Sequence, residues 1–292
     1  MEINDKVKRK LIPLIIIIAV LAAAVVAVFF LTKSKKNVDE DTTAPDTTVQ
    51  TYLIDGLVPY YKNVPVSPYD NTLFKKQENG RIIYDDKNVK SSAGIDVSHF
   101  QGDIDFNKVK NDGIDFVFVR LGYRGYGQTG ILGKDDKALE NVKKAKAAGL
   151  KVGAYFYSQA ISEAEAKEEA DYAVQILEGE KLDYPLVFDW ENDSEVGMRT
   201  DNVTKDELTL YTKAFCNEIE ALGYKPMIYM NRKEGYMRFD LAKLTDYPIW
   251  FAQLSGDYPD FYYDFDIWQY TTTGKVDGIE GNVDLDLCFL DY

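Results

Sequence analysis

The sequence predicts an α/β fold: an irregular (β/α) barrel of about eight strands and five helices, preceded by a transmembrane helix and a small β appendage. Three observations carry that prediction. From Ala93 onward, short segments rich in Val, Ile and Phe recur, and most are separated by stretches whose apolar residues repeat at helical spacing. Several of those stretches open on capping boxes. Ahead of them, residues 11–32 form an uncharged apolar run, as long as the ~20 residues that a bilayer-spanning helix needs. Strands alternating with helices imply parallel pairing through right-handed crossovers. Eight such strands suggest a closed barrel, for which ~250 residues is an ordinary size.

Residues 1–10 read as a cytoplasmic tail and 11–32 as a transmembrane anchor. Lys6, Lys8, Arg9 and Lys10 would also suit the basic region of a cleaved signal peptide. However, the apolar core of such a peptide is usually ~7–15 residues, and the small residues Ala22, Ala23 and Ala24 lie inside this run instead of after it. The expectation is an uncleaved single-pass anchor in the cell membrane with the large folded domain extracellular. Lys33, Lys35 and Lys36 on the far side make charge a weak guide to orientation. Residues 33–50, poor in large apolar side chains, read as a solvated linker. In 51–92, Tyr60, Tyr61, Leu73, Phe74, Ile82 and Tyr84 lie among polar residues and suggest a small β-rich appendage. Asn79-Gly80 predicts a hairpin between 73–77 and 81–84, with positive φ at both turn residues.

The barrel strands are expected at 93–97, 115–121, 151–157, 185–189, 226–230, 248–252, 265–270 and 282–287. A short helix fits 106–111. A longer one fits 135–148, where Ala138, Leu139, Val142 and Ala145 share a face and Gly149 ends it. Ser162 with Glu165, and Thr204 with Glu207, are capping boxes for two more helices, the second carrying Leu208, Tyr211, Phe215, Ile219 and Leu222. A last short helix is expected at 241–244. The final third has hardly any helix between its strands, so the barrel should be irregular there.

Composition excludes several functions. The net charge is −14 and the amino-terminal 36 positions are basic, so the remainder is more acidic still and lacks the basic footprint that nucleic acid requires. Cys216 and Cys288 are too few for a disulfide framework and read as two buried thiols. His99 is the single histidine, which excludes a His-rich metal site and makes a Ser-His-Asp triad implausible. No metal and no cofactor is expected.

In a β/α barrel the chemistry collects at the carboxyl ends of the strands. Those ends carry Asp96, Arg120, Tyr123, Tyr155, Tyr157, Asp189, Glu191, Tyr229, Asn231, Gln253, Trp268, Gln269, Asp284 and Asp286. Aromatic rings stack on sugar faces while amides and carboxylates bond hydroxyls, so this inventory suits a carbohydrate groove. The central pair is Asp189 and Glu191, which follows the apolar Leu186-Val187-Phe188. On an extended chain these two carboxylates point the same way with Cα atoms roughly 6–7 Å apart. Two acids so close cannot both ionise freely, and the one in drier surroundings should keep its proton. A proton donor beside a fixed anion is the equipment for breaking a glycosidic bond.

Four ordered motifs, Gly94-Ile95-Asp96-Val97-Ser98-His99-Phe100-Gln101-Gly102, Asp115-Phe116-Val117-Phe118-Val119-Arg120, Gly153-Ala154-Tyr155-Phe156-Tyr157 and Phe188-Asp189-Trp190-Glu191, resemble the glycoside hydrolase family 25 lysozymes, or muramidases. The resemblance covers 93–292, with Phe100 where the family often has Trp. It implies cleavage of the β-1,4 bond between N-acetylmuramic acid and N-acetylglucosamine in peptidoglycan glycan strands. It implies Glu191 as general acid. Asp189 would either stabilise positive charge at the sugar or orient the acetamido group, with Asp96 and Asp284 as supporting carboxylates. The substrate's N-acetyl group is the implied nucleophile, although an i,i+2 spacing spans both the retaining and the inverting separations. Substrate contacts are expected from Arg120, Tyr123, Tyr155, Tyr157, Tyr229, Asn231, Gln253, Trp268, Gln269 and Asp284. His99 reads as a hydrogen-bonded structural residue, and Arg120 either as a groove ligand or as the partner of a nearby aspartate. A non-catalytic wall-binding or scaffold protein, and a chitinase-like hydrolase, are the alternative readings. A membrane tether would also leave room for partners among cell-envelope proteins.

Overall fold

The computed structural model describes residues 46–53, 56–192 and 197–290. The expected tail and anchor, residues 1–32, and residues 33–45 of the expected linker lie outside the described residues. Among the described residues no helix is long and apolar enough to cross a membrane. The expectation of a single-pass membrane location with an extracellular catalytic domain is corrected on that finding. It rested on composition and run length.

Two short sheets precede the barrel. β1 (Asp46–Leu53) pairs antiparallel with β2 (Gly56–Tyr60), so regular structure begins inside the segment read as linker. β3 (Phe74–Lys76) and β4 (Ile82–Tyr84) form the expected hairpin, with Phe74 opposite Tyr84 and Lys76 opposite Ile82. Its turn is longer than the Asn-Gly signal implied. Gln77 N donates to Arg81 O (2.7 Å) and Gly80 N to Gln77 O (2.9 Å). Gly80 alone in the turn takes positive φ, at 82°, while the Asn79 side chain accepts from Arg81 N (3.1 Å). An asparagine oxygen spent on its own turn is the usual alternative to placing that residue in the left-handed region.

All eight expected barrel strands form. In chain order the elements are β5 (Ser92–Val97), α1 (Phe106–Asn111), β6 (Phe116–Arg124), β7 (Leu132–Lys134), α2 (Ala138–Ala147), β8 (Lys151–Ser158), α3 (Glu163–Ile176), β9 (Leu186–Trp190), α4 (Lys205–Ala221), β10 (Pro226–Asn231), α5 (Arg232–Met237), β11 (Ile249–Ala252), β12 (Ile267–Gly274) and β13 (Val283–Cys288). The ring runs β5, β6, β8, β9, β10, β11, β12, β13 and closes on β5, with β7 added antiparallel to the end of β6. Seven strands are parallel neighbours, but β13 runs antiparallel to both β12 and β5. The all-parallel expectation fails there for lack of chain. A parallel return needs a crossover of a dozen or more residues, and only residues 275–282 join β12 to β13.

The Thr204 box closes in both directions, but the Ser162 box closes in one only, because the Glu165 carboxylate accepts from Ile161 N (2.9 Å) instead of Ser162 N. Thr204 Oγ1 accepts from Glu207 N (3.3 Å) and Glu207 Oε2 from Thr204 N (2.8 Å), and Ser162 Oγ accepts from Glu165 N (3.2 Å). The expected helix at 241–244 is instead a 3₁₀ turn, Leu241–Lys243. The fifth helix is α5, where Asn231 Oδ1 accepts from Glu234 N (3.0 Å). Inside the ring, Phe116, Phe118, Val187, Met227, Trp250 and Ile267 fill the floor. Gly94 and Gly153 make room for the two phenylalanines, because a Cβ would lie 2.0 Å from Phe116 Cζ at Gly94 and 2.4 Å from Phe118 Cε1 at Gly153. Cys216 and Cys288 are buried free thiols.

Candidate active site

Side chains alternate faces along a strand, and the strand register brings the inward-facing ones into rows. Asp189 on β9 is flanked by its register partners Tyr157 on β8 and Tyr229 on β10. Asp96 on β5 pairs with Asp284 on β13. Because β13 is antiparallel, its amino-terminal half reaches the mouth where the parallel strands end, and so Asp284 joins the acids there. Asp286 lies one inward step deeper, fully buried, and accepts from Trp250 Nε1 (2.9 Å).

The result is a cleft of about 300 Å³ lined by Asp96, Arg120, Tyr155, Tyr157, Asp189, Glu191, Tyr229, Gln269 and Asp284, with Trp250, Leu254 and Thr272. Nine of the residues expected from sequence therefore share one cavity. Gln269 ties three of them together, its Nε2 donating to Asp96 Oδ2 (2.7 Å) and Asp284 Oδ2 (3.4 Å) while its Oε1 accepts from the Tyr229 hydroxyl (3.0 Å). Tyr157 accepts from the Tyr126 hydroxyl (3.0 Å).

Four of the expected contacts lie outside the cleft lining. Trp268 neighbours the inward-facing Gln269, so alternation turns it outward; it is fully buried, edge-on to Phe74 (5.4 Å), with Nε1 donating to Gln253 O (3.1 Å). Gln253 spends its amide on its own loop, donating to Ser255 O (2.9 Å) and accepting from Asp260 N (3.1 Å). Asn231 caps α5 and donates to Glu234 Oε2 (3.0 Å). Tyr123 lies outside the cleft lining, with the Arg120 guanidinium 5.8 Å from its ring centroid.

Burial dominates the electrostatics. Asp189 is 5% exposed; desolvation first, and then the charge of Glu191, push its carboxyl well above the usual range, and the pair share a hydrogen bond. Its Oδ1 is buried with no hydrogen-bond partner among the described residues. Asp96, 7% exposed, is also raised well above that range by burial and then by the charges of Asp284 and Asp286. Burial brings Asp284 up to about 6. Tyr155 and Tyr229 are held neutral in the same way, burial leading and the acids following.

Glu191 is less buried than Asp189, and its backbone is pinned. Gln159 Nε2 donates to Glu191 O (2.6 Å), and the next residue's amide, Asn192 N, donates to Glu234 Oε1 (2.9 Å). The Asn231–Glu234 capping pair was the available sequence signal for Glu234. Gln159, Trp250, Leu254 and Thr272 carried no comparable signal. Arg120 lines the cleft and donates from Nε to Asp135 Oδ2 (3.0 Å). His99 Nδ1 lies 3.0 Å from that same oxygen.

The sequence profile of the Glycosyl hydrolases family 25 matches residues 95–279. The chain belongs to this family. The matched segment of the family 25 chain runs from β5 to the loop before β13, leaving the β3–β4 hairpin and Asp284 outside it. The chain is 27% identical over 194 residues to the autolytic lysozyme of Clostridium acetobutylicum, covering 66% of this chain and 54% of that protein. It is 27% identical over 203 residues to lysozyme M1 of Streptomyces globisporus, covering 65% of each. Its fold is similar to the crystal structure of the Clostridium perfringens spore cortex lytic enzyme SleM, with TM-score 0.58 and 25% identity over 70% of this chain and 68% of that one. The matches thus span about half to two thirds of the curated relatives' length.

Proposed function

We propose that this family 25 chain is a peptidoglycan hydrolase that cleaves the β-1,4 bond between N-acetylmuramic acid and N-acetylglucosamine, with residues 93–292 as the catalytic domain and 51–92 as an appendage. The observation that carries the reading is the hydrogen-bonded Asp189–Glu191 pair at the centre of a cleft walled by Asp96, Asp284 and three tyrosines. The relatives' names, autolytic lysozyme and lysozyme M1, support this class of chemistry.

In the resting site one proton is shared by the pair and rests on Asp189, the drier acid. When a substrate acetamido N–H engages the unpartnered Asp189 Oδ1, the Asp189 anion is favoured and the proton passes through the hydrogen bond to Glu191. Glu191 then protonates the leaving glycosidic oxygen as the acetamido oxygen attacks the anomeric carbon and the C–O bond breaks. Asp189 stabilises the positive charge on the resulting oxazolinium ring. Water next attacks the anomeric carbon and gives its proton to Glu191. The two attacks on opposite faces retain the anomeric configuration. Gln269 holds Asp96, which keeps its proton, and Asp284, which with a pKa of about 6 carries negative charge near neutral pH, beside the developing cation.

Mass spectrometry of digested cell wall tests the assignment. Muramic acid at the new reducing end is the expected product. A new reducing N-acetylglucosamine, or hydrolysis of chitin oligomers in preference to wall, would replace this reading with a different glycosidase.

A further inference from the structure

A second cavity, of about 320 Å³, adjoins the catalytic cleft at Leu254, which lines both. It is built differently from its neighbour. The cleft presents Asp96, Asp189, Glu191 and Asp284 against the single cation Arg120. The second cavity presents Lys76 and Lys275 against the single anion Asp257, and Thr271 and Thr273 also line it. β12 serves both, because Thr272 faces the cleft and its two neighbours face the second cavity.

The hairpin wall is tied to the catalytic rim by packing and by charge. Phe74 on β3 packs edge-on against Trp268, whose Nε1 holds the Gln253 carbonyl at 3.1 Å, at the start of the loop carrying Leu254. Further along that loop, Asp257 Oδ1 lies 3.2 Å from Lys76 Nζ. Residues 74–84 fall outside the family-matched segment, so this wall is a feature of the chain's own appendage.

We infer that the β3–β4 hairpin completes a cationic subsite for the carboxylate-bearing peptide attached to the muramic acid lactyl group, beside the sugar-cleaving cleft. The inference rests on the peptidoglycan reading above. A carboxylate leaving the glycan near the mouth finds no counter-charge among the cleft's acids and is attracted by the two ammonium groups across Leu254. The Lys76–Asp257 pair is exposed on both sides, so each contact is worth only a fraction of a kcal/mol. Removing both lysine charges should weaken binding about fivefold.

The test is equilibrium binding of two soluble ligands, a short glycan fragment that contains the bond from N-acetylmuramic acid to N-acetylglucosamine, with and without the peptide on its muramic acid. The Glu191→Gln protein is used so that neither ligand is consumed. The peptide-bearing ligand is expected to bind more tightly. The added substitutions Lys76→Gln and Lys275→Gln should remove that preference and leave the peptide-free Kd unchanged. Asp257→Asn, which frees Lys76, should move the preference the other way and guards against a folding artefact. Equal affinity for the two ligands, or a preference that survives the double lysine substitution, overturns the subsite. Absence of glycan hydrolysis by the unsubstituted chain would sink the catalytic reading instead, and the binding comparison would still decide the subsite.

Discussion

Asp135→Asn is the substitution whose cost the structure specifies most fully. The Asp135 side chain is fully buried, and its Oδ2 accepts from His99 N (3.1 Å) and Arg120 Nε (3.0 Å), with Arg120 Nη2 at 2.8 Å and His99 Nδ1 at 3.0 Å. Its Oδ1 accepts from Lys137 N (3.0 Å). Burial alone would raise this carboxyl, but the bonds from His99, Lys137 and Arg120 outweigh it and hold Asp135 below the usual range. Asparagine can place its oxygen at only one of the two positions. With the oxygen at the crowded site, the Lys137 amide faces an NH2 and loses about 1 kcal/mol. The remaining bonds lose their ionic character, and the Arg120 guanidinium, 13% exposed, loses its counter-ion. Together these put the cost at about 3–4 kcal/mol near pH 7. Urea unfolding of the two proteins measures it. Asp135 has a lowered folded pKa, so its contribution is present above the unfolded pKa and disappears as pH falls through the folded value; the gap between the proteins should therefore close in acid. A difference below about 1 kcal/mol at neutral pH would refute the claim that this aspartate anchors Arg120.

Other expectations follow from the same contacts. Gly94→Ala places a Cβ 2.0 Å from Phe116 Cζ and should cost about 3 kcal/mol or prevent folding, with Phe116→Leu restoring much of the loss in the double variant; thermal melts read both. Trp268→Phe should lower stability by about 1–3 kcal/mol while leaving KM for wall nearly unchanged at a temperature where the variant is folded, because Trp268 faces the hairpin and not the substrate. The raised carboxyls of Asp96, Asp189 and Asp286, with Asp284 at about 6, stay protonated in the folded chain after the unfolded chain has released its protons. Their contribution is full below the unfolded pKa and is lost as pH rises, so the melting temperature should fall from about pH 5 to about pH 8, and a rise would contradict the assigned burial.

The barrel was legible because its strands and helices differ in period, and because each helix that opened on a Ser/Thr-x-x-Glu box formed as expected. What escaped depended on contacts distant in sequence. β13 has the composition of any other buried strand, and only the shortness of 275–282 hinted that it must turn back. α5 starts on Asn231, which strand-end reading had assigned to substrate, since asparagine serves as a helix cap as readily as a sugar ligand. In the site, period-two alternation could have excluded Trp268 once Gln269 was placed inward, because adjacent residues cannot both face the mouth. Gln159 and Leu254 reach the site from loops, whose path no local pattern encodes. The shared proton was partly legible. Spacing required Asp189 and Glu191 to interact, but which of them is drier depends on Tyr157 and Tyr229, brought alongside by strands β8 and β10.

The most direct test of the central claim is the release of reducing ends from purified peptidoglycan by the Glu191→Gln protein, compared with the unsubstituted chain. Glutamine keeps the shape and removes the transferable proton, so a loss of about 10²-fold or more in kcat with an unchanged melting curve is expected. Activity within a few-fold of the unsubstituted chain would show that Glu191 is not the proton donor and would contradict the account.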